Sequence, residues 1–183
     1  SIVYLLFKEV DFAANLGNDP FRKSNLADAF DAAYELTAAG EVAFIDFDYY
    51  RLSYGAPEAF IVTLVYDDGV PIGTLVFQFP IDKLKAIMTE DGIWREDGLG
   101  EAGEIYLVGD DFSMQSITRF LIEDSEGYFN ALQDWGYPDK TIAQLDYFDS
   151  SMLLQKVHTP AAMHALEGER DTAIIDDYQR VSV

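Results

Sequence analysis

The side chains best placed to do chemistry lie on one short run, Val42 to Tyr50 (V-A-F-I-D-F-D-Y-Y), where two carboxylates interrupt an apolar stretch. Strand alternation at a period of two puts Phe44, Asp46, Asp48 and Tyr50 on one face. Carboxylates among aromatic side chains on a strand face mark either a strand leaving the core or the wall of a pocket. Lys8, Tyr54, Phe60 and Tyr66 are expected to close such a pocket, since aromatics flank a ligand while one or two charges orient it. For each aromatic the competing expectation is core packing, and for Asp46 both stay open. An Asp on such a wall could hold an ammonium group.

Other chemical signals are weaker. Acidic neighbours recur at Asp67-Asp68, Asp110-Asp111 and Asp176-Asp177, and glycoside hydrolysis or calcium binding uses such groups. None fits a D-x-[DN]-x-[DN]-G loop, and with 33 carboxylates in the chain such neighbours arise by chance. His158 and His164 are six positions apart, off a common helix face, and no cysteine exists to complete a zinc set. Gly98 to Gly103 (G-L-G-E-A-G) fits G-x-G-x-x-G, yet it precedes a strand candidate instead of following one, so a dinucleotide would have no scaffold. No cofactor, metal or catalytic residue is expected.

The net charge of −21, from 33 acidic against 12 basic residues, excludes most nucleic-acid binding, which needs cations to displace counterions. Anionic membrane surfaces are repelled for the same reason. Such a surface suits a salt-rich habitat, and it raises the local concentration of cationic ligands. The lack of cysteine fits either side of a membrane. No run approaches the roughly 20 apolar residues of a membrane span, and no signal peptide is seen at Ser1.

The elements that must position these groups follow from pattern. Ile2 to Val10 reads as a strand and Gly17 to Pro20 as a turn. Asn25 is the expected N-cap of a helix carrying Leu26, Ala29, Phe30 and Ala33 on one stripe, with Gly40 as its C-terminal stop. Val42 to Tyr50 is the next strand. Phe60 to Tyr66 and Thr74 to Phe79, joined by the polar residues 67–73, form a hairpin. Pro80 ends it, and Ile81, Leu84, Ile87 and Met88 recur at helical spacing. The charged, Gly-rich stretch Thr89 to Gly100 suits a boundary. Beyond it, strands are expected at Glu104 to Val108 and Ala173 to Val183, and helices at Glu126 to Gln133 and from Thr159-Pro160 to Gly168. The order implies an α+β fold with antiparallel sheets flanked by helices, not a TIM barrel or Rossmann fold.

The ordered set P-I-G-T-L-V-F-Q-F-P-I-D-K-L-K-A-I-M-T (71–89), G-L-G-E-A-G-E-I-Y-L-V-G (98–109) and V-H-T-P-A-A-M-H-A-L-E-G (157–168) resembles the extracytoplasmic double Cache, or tandem PAS-like, sensor region of bacterial transmembrane receptors. The likeness extends to Ile2 to Phe12 and Val42 to Tyr50. It implies a membrane-distal module at residues 1–90 and a partial membrane-proximal module at 91–183, lacking at least one strand and so exposing a sheet edge. It also implies a non-catalytic small-molecule sensor of a chemoreceptor, sensor kinase or nucleotide cyclase, periplasmic or extracellular and joined to a membrane anchor outside this soluble stretch. The full receptor would be a homodimer paired through an N-terminal helix. The family's R-x-W-Y ligand element has a loose counterpart in Arg51-Leu52-Ser53-Tyr54, where Ser53 stands in place of Trp. An amine or amino acid is the favoured ligand. The alternatives are a carboxylate-dependent hydrolase of a salt-adapted organism and an acidic calcium-binding or adhesion module.

Overall fold

The computed structural model describes residues 2, 4, 13, 15–18, 20–50, 55–79, 81–89, 94, 99, 103–170, 172 and 174–179. The fold is α+β: a three-stranded antiparallel sheet and six α-helices among the described residues. The chain divides into two compact units, Ser1–Ile81 and Asp82–Val183. The helix expected to close the first unit therefore begins at the division, nine residues before the expected boundary.

In the first unit, helix α1 spans Asn25–Ala33. Its cap is Ser24, one residue earlier than expected, whose hydroxyl accepts the Ala27 N–H at 3.3 Å. The helix also stops well before Gly40. Glu41 accepts the N–H groups of Thr37 and Ala38 at 2.7 and 2.9 Å, an arrangement that competes with further helical turns. Those two bonds, Ala38 first, hold the Glu41 carboxyl below its usual range. Gly40, at φ +88°, serves the turn into the sheet instead.

The strands are β1 (Val42–Tyr50), β2 (Ala56–Asp67) and β3 (Val70–Gln78), in spatial order β1-β2-β3. The hairpin is tighter than expected. Only Asp68 and Gly69, both at positive φ (45° and 79°), separate β2 from β3, as in a type I′ turn. Pro71 joins the strand because β3 ends the sheet, where a missing N–H is tolerated. Alternation then sorts the side chains. Phe60 and Val62 pack against Leu26, Ala29 and Ala33 of α1, joined by Ala43, Ile45, Leu64 and Val76. The opposite face leaves Phe44, Leu75 and Phe77 substantially exposed.

The second unit is helical among its described residues. Helices α2 (Ile81–Thr89), α3 (Arg119–Glu123), α4 (Ser125–Asp134), α5 (Asp139–Phe148) and α6 (Pro160–Leu166) succeed one another. Thr118, Asp124 and Thr159 cap α3, α4 and α6 with side-chain oxygens, and Pro160 opens α6 as expected. One core gathers Leu121, Tyr128, Leu132, Ile142 and Leu145; another gathers Met114, Val157 and Ala162. The expected strand Glu104–Val108 is extended but joins no sheet. Its Leu107 N–H is taken by the Ser116 hydroxyl at 3.0 Å, and only Val108 forms a bridge, to Met114. Met114 and Phe112 turn to 153–157 for backbone partners, giving a short irregular pairing. Residues 174–179 of the other expected strand end in a turn at Tyr178 and Gln179, and the rest of that strand lies outside the described residues.

The hairpin turn is directly testable. A Cβ at Gly69 meets nothing within 4 Å, so Gly69→Ala adds backbone strain without a clash. The expected cost is about 1 kcal/mol. Thermal denaturation should show a transition lowered by roughly 4–8 °C.

Candidate functional site

The functional residues of β1 are redistributed by a bulge. Ile45 pairs with Phe60 and Asp48 with Glu58, so Asp46 and Phe47 together oppose Ala59. The extra residue reverses the alternation after Ile45. Phe44 leaves the sheet on the face away from α1, whereas Tyr50 turns inward. The expected single face of Phe44, Asp46, Asp48 and Tyr50 is therefore not formed. Tyr50, 2 % exposed, meets the Phe60 ring edge to face at 5.5 Å in the core. Asp46 and Asp48 are exposed, and their carboxylates accept the N–H of the following residue at 2.8 and 2.7 Å.

Tyr66 sits at the turn end of β2, six residues and roughly 20 Å along the strand from Phe60, so the two do not share a pocket. Lys8, Arg51 and Tyr54 lie outside the described residues.

Asn25 and Glu58 are joined by a hydrogen bond, and exposed Asp48 is the β1 neighbour of buried Glu58 in the ladder. Asp48 and Glu58 are paired across the β1–β2 ladder and so leave the sheet on one face, the face that α1 covers. Asn25, at the first turn of α1 and 4 % exposed, donates its side-chain N–H to the Glu58 carbonyl at 2.6 Å. That bond fixes the orientation of the amide, leaving the Asn25 Oδ1 buried without a hydrogen-bond donor. A buried acceptor in that condition costs roughly 1–3 kcal/mol, which a ligand donor would recover. Asn25 reads in sequence as a helix cap, and Glu58 is one of 33 carboxylates; only the ladder register singles them out.

A second constellation lies in the second unit. Glu104 accepts the Arg119 backbone N–H at 2.7 Å and the Tyr178 hydroxyl. Tyr178 and Thr118 hydroxyls are 2.6 Å apart, and Gln179 donates to Tyr178 at 3.1 Å. The Tyr106 ring meets Tyr178 edge to face at 5.6 Å. Arg119, 4 % exposed, donates to the Gly103 carbonyl at 2.7 Å, pairs with Glu123 at 3.0 Å and lies 5.0 Å over the Trp94 ring. The cluster thus clasps residues 103–106, the start of α3 and residues 178–179. Burial pushes the Glu104 carboxyl up despite the opposing hydrogen bonds from Tyr178, Arg119 and Thr118, and Asp177 adds to the rise. Burial likewise raises the Tyr178 hydroxyl, with the Glu104 charge adding to it. By contrast Asp111, hydrogen-bonded by Lys156 at 2.6 Å and by Ser113, is held down at about 2.

Among the described residues no group of three or more His, Asp or Glu is placed to hold a metal ion, and no helix is long and apolar enough to cross a membrane. No family model matches the chain, and no curated protein or solved structure matches it either.

The Glu104 cluster has a signed pH dependence. Its folded value lies above the ordinary 4.5, so its contribution is fully present below that value and is lost as pH rises through the folded one. Thermal melts of wild type and Glu104→Gln between pH 4 and pH 8 should show the wild type losing ground steadily to the variant as pH rises. A constant difference would mean that Glu104 does not titrate in this range.

Proposed function

We propose that this chain is the ligand-sensing region of a bacterial transmembrane signal-transduction receptor, built on tandem PAS-like Cache modules and lying outside the cytoplasm. Catalysis, if the receptor has any, belongs to its output region. The observation that carries the reading is the buried Asn25 Oδ1, an acceptor lacking a donor on a side chain already held by the Glu58 carbonyl. The resemblance of residues 71–89, 98–109 and 157–168 to Cache sensors supports it independently.

The proposed ligand is an amine or amino acid. Its ammonium would supply a donor to Asn25 and charge to Asp48. Binding would favour the arrangement in which α1 is closed on the sheet, a population shift passed to the membrane-anchored homodimer. The ligand must distinguish the two arrangements by its affinity, since equal binding to both shifts nothing.

A thermal-shift titration with alkylamines, diamines, amino acids and the nitrogen-free acids of matching size tests the proposal. An amine at a hundredfold its Kd should add about 2.7 kcal/mol, a rise of several degrees. Asp48→Asn, at an exposed position, should abolish the shift without lowering the unliganded transition. Equal shifts from nitrogen-free acids, persistence of the shift in Asp48→Asn, or no saturable shift across the panel would each overturn it.

A further inference from the structure

Helices α4 and α5 are joined by the short connection 135–138 and pack around Tyr128, Leu132, Ile142 and Leu145. Outside that core the two helices leave a surface depression of about 340 Å³, lined by Phe129 and Gln133 of α4 and by Asp139, Ile142, Ala143 and Asp146 of α5. The spacing is regular: i and i+4 on α4, and i, i+3, i+4 and i+7 on α5. That is the spacing of helix faces that accept a third helix along a groove. The floor is apolar, and the two ends on α5 are carboxylates two turns apart, roughly 10 Å along the axis. No cation lines it. Tyr147, one turn beyond Ala143, is 80 % exposed and extends the aromatic rim.

We infer that this groove docks a basic amphipathic helix of a partner polypeptide, its apolar residue seated on Phe129 and Ile142 and its Lys or Arg side chains, two turns apart, paired with Asp139 and Asp146. The charge complementarity is local as well as global. A chain of net charge −21 draws any cation toward its surface, and this groove sets two carboxylates at helical spacing around an apolar floor beside an exposed Tyr. An Arg over that Tyr would gain a cation–π contact of about 0.5–1 kcal/mol. The groove lies wholly in the second unit, so the inference does not depend on the amine site of the first.

The test is an NMR titration of the full ¹⁵N-labelled chain with a designed helical peptide carrying one apolar stripe flanked by Lys at i and i+7, against a scrambled peptide of equal composition. Shifts confined to α4 and α5, and at least tenfold weaker binding of the scrambled peptide, are expected. Asp139→Asn combined with Asp146→Asn should weaken binding tenfold or more and steepen the loss relative to wild type at low salt. Ala143→Arg, at an exposed helical position, should reduce the designed peptide to the scrambled level while leaving the helices folded. Shifts spread over the acidic surface, or equal affinity for both peptides, would overturn the inference by showing attraction to the overall field alone.

Discussion

The two-for-one pairing of Asp46 and Phe47 against Ala59 decides what the first unit can be. Among the described residues of the first unit, three strands and one α-helix share a core, and each position on β1 must face either it or the other side of the sheet. Without the bulge, Ile45, Phe47 and Tyr49 would lie on the α1 side and Tyr50 on the far side. With it, Tyr50 closes the core against Phe60, and Phe47 joins Phe44 around Phe79 on the other face, at 6.2 and 6.0 Å. The same slip brings Asp48 opposite Glu58, whose carbonyl takes the Asn25 side chain at the start of α1. The polar cluster is therefore a consequence of how the core is filled, not an addition to it.

The second unit solves a different problem. Its extended segments are too short and too often interrupted by side-chain bonds to build a sheet, so polar clasps do the joining. Tyr128, fully buried, donates its hydroxyl to Gln155 at 2.7 Å; Ser151 accepts the Thr118 N–H at 2.8 Å and donates to the Ser116 carbonyl at 3.0 Å. Buried networks of this kind are stabilising only when complete, since each unpaired member would carry its full desolvation cost. This explains why so many Ser, Thr and Gln side chains are buried in that half.

What was legible in the sequence follows from which signals are local. The β2–β3 hairpin and α6 were readable because β-branched runs, an Asp-Gly turn and a Thr-Pro start act over a few residues. Helix α4 was found within a residue at either end, from Tyr128, Phe129 and Leu132. Helix α5 escaped because only Ile142 and Leu145 of its ten residues are buried, too narrow a stripe to recognise. The strand at Glu104–Val108 failed for the opposite reason. Its pattern is apolar enough, but among the described residues Ile105 and Leu107 find no neighbouring strand, and both are exposed. The candidate site was half legible. Alternation grouped Phe44, Asp46, Asp48 and Tyr50, but alternation has no means of detecting a bulge, and so it misplaced Tyr50 and passed over Glu58 and Asn25.

The bare face of the sheet has a thermodynamic consequence. Phe44, Leu75 and Phe77 stay between 43 % and 57 % exposed in the folded state. Unfolding the first unit thus hydrates less new apolar surface than its composition would suggest. The heat-capacity increment should fall below the usual ~12–15 cal/mol/K per residue, and the stability curve should be correspondingly flat. A flat curve loses little at either extreme, so this unit would hold a nearly constant, modest stability across the temperatures at which a steeper protein passes through its optimum.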